Sequence, residues 1–487
     1  MSTLSRKQET SASPSQAADY APTRILEIEL GESLPLVHAV DKKTGQRYQR
    51  AMCMMRLHRQ PLGVVEFQLA EEWTHPYDYA NRIWSALGTK INEHLQQDGL
   101  LPVTELAVGG LLSPGIPRCM EERERFLAQA PSVSVIVPTR DRPEQIQLCL
   151  RSLLAQHYSR YEIIVVDNAP STSATEEFIR QTYRDEPRVR YLREDHPGRC
   201  WALNCGMKAA QEEILAFTDD DVVVDSYWLL ELVKGFSLAN DVACVTGLVL
   251  PMELETNSQF WLEEYGGFGK GFARRVFDMA ENHPKSPLYP YTAGHFGTGA
   301  CMAFRAAFLR SIGGFDLALG AGSPAQGGED LAAFFQVITR GHKLIYEPAA
   351  LLYHPHRRDY KALRKQIYYY GVGLTAYLTK VLLDNPRLLF DFILKLPYGL
   401  VFTLSAHSPK NSKKLARYPQ ELTTLELKGM LHGPFAYLYS RWAIRSVRKD
   451  FATGEVVHTS TGTKAASAPG YHVYDREDEV YSRRERV

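Results

Sequence analysis

The chain is 487 residues long, 45% hydrophobic and 11% aromatic, and its 56 basic and 56 acidic side chains cancel to a formal net charge of zero. That length exceeds what one hydrophobic core organises, so two or three domains are expected, and the charge balance argues against a nucleic-acid binder. The seven cysteines are scattered without a CxxC pair, which suits a reducing, cytoplasmic compartment and excludes a zinc site built from cysteine pairs.

Residues 1–20, MSTLSRKQETSASPSQAADY, are polar throughout and read as a disordered arm rather than a secretory leader. Residues 21–115 read as a small accessory α+β module. Arg24 to Leu30 alternates polar and apolar side chains, as a half-buried strand does, and Gly63 to Leu69 is a second β-like run. Tyr77 to Gln96 carries Ile83, Leu87, Ile91 and Leu95 at fourth positions, the stripe of an amphipathic helix. A Pro- and Gly-rich linker, LLSPGIPR, and a charged helical segment, EERERFLAQA, lead to Pro131.

Over residues 131–356 the pattern changes to strand, helix, strand, helix. Val133 to Val137 is a β-branched run ended by Pro138 and Thr139; Asp141 is the expected N-cap of the helix that follows, with Pro143 in its first turn. Glu162 to Val166 is the next strand, closed by Asp167 and Asn168. A third, near Arg190 to Leu192, precedes the glycine-entered helix of HPGRCWALNCGMKAA. The apolar run Ile214 to Phe217 then feeds three consecutive acids, Asp219, Asp220 and Asp221, and Asp225 is expected to start another helix. Alternation of this kind predicts a mainly parallel sheet with right-handed crossovers. Its carboxyl edge is where ligands bind, so Asp167 and Asp219 end different strands yet point at one crevice. Three adjacent carboxylates repel one another unless a cation lies between them, and hard oxygens suit Mg²⁺ or Mn²⁺. The alternative is a solvated acidic turn capping the next helix.

The strings VSVIVPTRDRPEQIQLCLRSLLAQ, EIIVVDNAPS, GRCWALNCG and ILAFTDDD resemble the family 2 glycosyltransferases of GT-A fold. Farther on, GTGACMAFRAAFLRSIGGFD and GGEDLAAFFQVITRGHKLIYEPAALLYH are similar to that family's second half, so the resemblance runs from Pro131 to His356 in the family's motif order. It implies an inverting, metal-dependent enzyme that moves a sugar from a nucleoside diphosphate, with UDP favoured, to a hydroxyl of a glycan or lipid-linked acceptor. By the same resemblance, Mn²⁺ or Mg²⁺ is held by Asp221, with Asp219 and His354 as further metal contacts. The nucleotide sugar is met by Pro138, Thr139, Asp141, Asp167, Arg199, Asn204, Asp219 and Asp220, with Asp167 reading the base. Asp330, with Glu329 as second candidate, is the catalytic base that takes the proton of the acceptor hydroxyl. For these two acids the alternative is a place in the first turn of the helix Leu331 to Thr339, where the helix dipole favours negative charge. Arg357 and Arg358 are candidates to pair with donor phosphates, and Trp261, Tyr265 and Phe268 either stack on sugar or pack in the core. The glycines of AGSPAQGG predict a flexible loop on the acceptor side.

Residues 357–450 read as a helical extension, and 451–487, polar again, as a disordered tail. Leu388 to Phe402 is apolar but broken by Asp391, Lys395 and Pro397, and shorter than the ~20 residues a spanning helix needs. With the basic and aromatic residues of Lys361 to Lys380 and the lysines of SPKNSKKLAR, it reads either as a membrane-interface segment on the cytoplasmic face or as a buried helical extension. Two further classes stay open. A processive polysaccharide synthase needs a Gln-x-x-Arg-Trp motif, whereas Leu438 to Trp442 lacks the glutamine; a non-catalytic sugar-nucleotide binder does not need both Asp221 and Asp330.

Overall fold

A computed structural model of the chain describes residues 20–111, 115–408, 410–412, 414–415 and 417–452. The arm expected over residues 1–20 and the tail expected over 451–487 lie outside the described residues, save for Tyr20, Phe451 and Ala452. The N-terminal segment contains β1 (Thr23–Glu29), β2 (Val37–His38), β3 (Arg50–Leu57), β4 (Gln60–Gln68), β5 (Trp73–Thr74), α1 (Pro76–Gln97) and α2 (Arg118–Gln129). Its three-stranded sheet has the order β1-β3-β4. Ile83, Leu87, Ile91 and Leu95 of α1 pack on Val65 and Phe67 of β4, so the fourth-position stripe faces the sheet. The central strand β3 escapes a search for alternation because Ala51 to Leu57 is buried without interruption.

The next segment holds β6 (Val133–Thr139), α3 (Pro143–Leu154), β7 (Tyr161–Asn168), α4 (Ala174–Thr182), β8 (Val189–Glu194), α5 (Arg199–Ala209) and β9 (Ile214–Phe217). It continues through β10 (Val223–Val224), α6 (Trp228–Gly235), β11 (Val242–Pro251), α7 (Asn257–Tyr265), β12 (Arg275–Phe277), β13 (Met302–Arg305), α8 (Ala306–Ser311), α9 (Glu329–Thr339) and β14 (Lys343–His354). One nine-stranded sheet follows the path β10-β14-β11-β13-β9-β6-β7-β8, with β12 on β14. Strands β6, β7, β8, β9, β11 and β14 run one way, and β10, β12 and β13 run against them. This is the mainly parallel, helix-flanked sheet expected of a GT-A fold.

Side chains alternate across that sheet. Val135, Val137, Ile163 and Val165 pack against α3 and α6, while Ile136, Ile164 and Val166 pack against α5. Gly206 lets α5 lie close, since a Cβ there would come 2.5 Å from Ile136 Cγ2.

One expected cap is corrected. Asp141 is not the N-cap of α3; Arg142 is, and Asp141 is an exposed residue at φ 52° whose carboxylate accepts from the Ser171 N–H at 2.9 Å. Asp225 lies just before α6, which Tyr227 precedes: one carboxylate oxygen accepts from the Tyr227 N–H at 2.9 Å and the other pairs with buried Arg56 of β3 at 2.8 Å.

Helices α10 (Tyr360–Asp384), α11 (Leu388–Leu404) and α12 (Gln420–Ala452) complete the described chain. In the α10–α12 pair, Gly429 and Gly433 face the α10 backbone, and a Cβ at Gly433 would overlap Thr375 Oγ1 and the Val372 carbonyl. Gly433→Val is therefore expected to cost about 1–3 kcal/mol of stability, read as a lowered urea midpoint at unchanged m-value. On its other side, Gly373 of α10 rests on the backbone of Gly327 and Gly328, the loop that enters α9. That loop is packed down rather than loose: Ala321 accepts from the Arg199 N–H at 2.8 Å, and Gly322 lies against Gly198.

Helix α11 lies on the surface and packs Leu388 and Phe392 toward the core beside two charged residues. No residue of it is buried, and the stripe it turns to the protein carries Asp391, which accepts from Tyr291 Oη at 2.8 Å, and Lys395, which donates to the Tyr289 carbonyl at 3.1 Å. Its outer side presents Phe390, Leu394, Val401 and Leu404 to solvent, with Phe390 73% exposed. Of the two sequence readings, a buried extension is the one this helix contradicts. Among the described residues no helix is long and apolar enough to cross a membrane.

Candidate active site

Parallel strands deliver their carboxyl ends to one edge. Asp167 ends β7, with Thr139 opposite it on β6. Asp219, Asp220 and Asp221 follow β9, and His354 ends β14. Arg199 opens α5, while Glu329 and Asp330 open α9.

The acid triplet, in the turn after β9, divides between two sides. Asp219 and Asp221 face His354, whose Nε2 lies 3.8 Å from one and 3.7 Å from the other, and single ligand atoms of all three lie within 4.8 Å of one another. The Pro355 carbonyl accepts from His354 Nδ1 at 2.8 Å, so a neutral ring turns the lone pair of Nε2 toward two carboxylates. Such an arrangement calls for a proton or a cation. Burial lowers the His354 pKa, but Asp221 and Asp219 outweigh it and raise the ring above its ordinary value. Asp221 Oδ1 is buried and without a hydrogen-bond partner among the described residues. Two carboxylates and one imidazole suit Mn²⁺ or Mg²⁺, so the residues fit the expected ion.

Asp220 turns the other way. Its Oδ2 accepts from Thr139 Oγ1 at 2.7 Å, and Arg142 lies 3.5 Å from Oδ1. Burial lifts this carboxyl to about 6, against Arg142. Thr139 and Asp220, both expected to meet the nucleotide sugar, are thus engaged with each other beneath the crevice. Asn204 is likewise taken out of it: its amide donates to the Phe315 carbonyl at 2.8 Å and accepts from the Phe315 N–H at 2.9 Å. Two bonds to one backbone residue make it a clamp between α5 and the segment after α8. Pro138 is half-buried on β6, and Asp141 lies exposed beside it in the loop.

Asp167 is fully buried and accepts from Tyr191 Oη at 3.1 Å through Oδ2, while Oδ1 has no partner among the described residues. Burial raises its pKa to about 6, against the Tyr191 hydrogen bond. An unpartnered buried carboxylate oxygen costs about 1–3 kcal/mol until a donor arrives. A base with a ring N–H supplies one.

Arg199 ties the halves of the crevice together. It lies 2.6 Å from Asp219 and 3.5 Å from Glu329, donates to the Gly299 carbonyl at 3.2 Å, and keeps a buried Nε without a partner. Asp330 is half-buried, and its two oxygens accept from the N–H groups of Gly299 and Leu331, each at 2.8 Å. Burial raises its pKa against those N–H groups and Arg199, and burial raises Glu329 likewise, against Arg199. Glu329 is the more enclosed of the two.

Other expectations divide. Arg358 is held by Glu253 and Glu255, the latter at 2.7 Å, while Arg357 is exposed. His356 is bonded to Glu263 at 2.6 Å, away from the acids. Trp261 and Tyr265 pack at the base of α10, with Tyr265 Oη donating to Glu426 at 2.8 Å, whereas the Phe268 ring lies 5.1 Å from that of His354. The sequence reading missed Arg142 and Tyr191. An arginine in the loop after the first strand is a signal for the one; nothing local marks the other.

Residues 134–313 match the family model described as glycosyl transferase family 2. The O-antigen biosynthesis protein RfbC of Myxococcus xanthus is 32% identical over 208 residues, 41% of this chain and 16% of that protein. The pre-mycofactocin glycosyltransferase of Mycobacterium tuberculosis is 26% identical over 240 residues, 48% of this chain and 46% of that one. The chain thus spans less than half the length of these curated relatives. A solved mannosyltransferase from Pyrobaculum calidifontis, in complex with GDP-Man and Mn²⁺, covers 68% of this chain and 88% of its own at 19% identity and a TM-score of 0.41, too distant to carry more. The match to glycosyl transferase family 2 thus lies over residues 134–313, less than half of the chain.

Proposed function

We propose that this protein is an inverting glycosyltransferase, which moves a sugar from a nucleoside diphosphate to a hydroxyl of a glycan or lipid-linked acceptor. The observation that carries the reading is Arg199, which contacts both Asp219 beside His354 and Glu329 beside Asp330, making one crevice of two acid clusters. Asp219, Asp221 and His354 would hold a divalent cation, which when bound neutralises the departing diphosphate as a Lewis acid. Asp167 Oδ1 takes a ring N–H of the base, for which uridine is a fit. Arg199 shifts from its carboxylates to the donor phosphates as these enter, a bidentate exchange a guanidinium suits.

Asp330 acts as general base. The acceptor oxygen attacks the anomeric carbon, its proton passes to the Asp330 carboxylate, and the bond to the diphosphate breaks with its electron pair leaving on phosphate oxygen. One displacement inverts the anomeric centre. A panel of nucleotide sugars with Mn²⁺ or Mg²⁺ tests the reading: divalent-dependent release of a nucleoside diphosphate with one donor supports it. Binding without any release, with or without glycan acceptors, would make this a sugar-nucleotide binder.

The acceptor is proposed to be lipid-borne because of α11. Its inward-facing charges and outward-facing Phe390 and Leu394 suit the bilayer interface, and α12 exposes apolar side chains of its own, Leu431, Phe435, Leu438 and Trp442. Phe390→Ser/Leu394→Ser is expected to weaken binding to anionic vesicles at least ~10-fold in co-sedimentation, since each buried side chain is worth about 1.5–3 kcal/mol. Equal partitioning of the variant and the native chain would rule this face out.

A further inference from the structure

Far along the chain from the acids of the crevice, the accessory module and α2 bring four metal-ligand side chains to one point. They are His58, His94, Asp98 and Cys119, and one ligand atom of each lies within 4.8 Å of all the others. We propose that they form a structural zinc site, closed by His58 Nδ1, His94 Nε2, Asp98 Oδ2 and Cys119 Sγ.

The sequence places these ligands on three elements. His94 and Asp98 are one turn apart at the end of α1, with Asp98 as its C-cap. His58 occupies the tight turn between β3 and β4, at φ 52°, where its backbone N–H is held by Glu29 at 2.9 Å. Cys119 lies in the first turn of α2. His58, His94 and Asp98 are 7–8% exposed, so the cluster is not a solvated surface patch.

The distances are those of a collapsed coordination shell. Asp98 Oδ2 lies 2.6 Å from His58 Nδ1, 3.2 Å from His94 Nε2 and 3.1 Å from Cys119 Sγ, and the two ring nitrogens are 3.2 Å apart. Hydrogen bonding alone would aim three protons at a single carboxylate oxygen, with two of the donors facing each other. Zn–N and Zn–O bonds of about 2.0–2.1 Å and a Zn–S bond of about 2.3 Å give tetrahedron edges of roughly 3.3–3.6 Å, so each atom needs to move by less than about 1 Å. Binding releases the thiol proton and leaves the thiolate and imidazole lone pairs on the ion. The charges of one thiolate and one carboxylate then balance that of Zn²⁺.

The surroundings orient the ligands as second partners do in metal sites. Asp98 Oδ1 accepts from the Cys119 N–H at 3.0 Å, which leaves Oδ2 as a single ligand atom. Arg123 donates to the His58 carbonyl at 2.7 Å, approaches Cys119 Sγ at 3.9 Å, and bonds Glu231 of α6 at 2.6 Å. Four protein ligands leave no open position, the mark of a structural rather than a catalytic zinc. The ion would fasten the β3–β4 turn and α1 to α2, and through Arg123 to the helix that follows the acid triplet. The absence of CxxC pairs excludes only the cysteine-paired form of such a site.

The test uses the full chain, purified without chelator and without a metal-affinity step. About one zinc per chain by mass spectrometry is expected. Exchange with Co²⁺ is expected to give the intense visible bands of a tetrahedral ion and a thiolate-to-cobalt charge-transfer band. Cys119→Ser should lose the charge-transfer band, and Asp221→Ala should keep both zinc and spectrum, separating this site from the crevice. Native protein that is free of zinc and shows no thiolate band with Co²⁺ overturns the proposal, even if the serine variant fails to fold. So does a folded Cys119→Ser protein with an unaltered spectrum.

Discussion

Asp330→Asn is expected to abolish sugar transfer while leaving the nucleotide sugar bound. Removing a positioned general base costs roughly 10²–10⁴-fold in rate, and Asp330 is the acid at this end of the crevice with the freer approach; Glu329 is enclosed and close to Arg199. The substitution keeps the shape of the side chain and one acceptor for the N–H groups of Gly299 and Leu331, so the loop should hold. Single-turnover transfer and donor binding, measured side by side, separate base from scaffold. In the native protein the base works only when ionised, so the rate should rise with pH through the pKa that burial has lifted and be lost below it. The Asn variant should show a residual rate without that limb. An Asn variant that transfers at the native rate would move the role to Glu329 or to water.

Asp221→Ala should remove divalent-dependent release of the nucleoside diphosphate altogether. Lewis-acid neutralisation of a leaving diphosphate is worth several kcal/mol, and a loss of about 3 kcal/mol is already a factor of ~10². Asp221 Oδ1 has no hydrogen-bond partner among the described residues, so its replacement breaks no internal bond of that atom. The variant should therefore stay folded, and Mn²⁺ should no longer tighten donor binding in calorimetry. Asp220→Ala makes the contrast. That carboxylate accepts from Thr139, so its loss should appear in stability before it appears in metal affinity. If Asp221→Ala retained Mn²⁺-dependent turnover, the acids beside His354 would not be the metal site.

Much of the catalytic domain was legible in the chain because its signals are local. β-branched runs ended by Pro138–Thr139 or Asp167–Asn168 announce parallel strands, and the acids that end them must share an edge. The direction of each acid was not legible. Asp219 and Asp221 face one way and Asp220 the other across the turn that follows β9, and which of them meets His354 depends on where β14 lies. Asn204 sits in a family motif, yet its amide is spent on Phe315, 111 residues away. Asp141 is a good capping residue by type, but its positive φ decided otherwise. The exposed face of α11 could not be seen either, since an apolar run does not say which side meets protein.

By itself, then, the order of residues determined the strand–helix alternation, the resemblance to family 2 glycosyltransferases and the identity of the acids at the strand ends, because those depend on neighbours in the chain. Only the tertiary structure decided that Arg199 joins Asp219 to Glu329, and that His58, His94, Asp98 and Cys119 converge. Such contacts close loops of tens to more than a hundred residues, and their partners are selected by packing and charge in three dimensions rather than by any pattern along the chain.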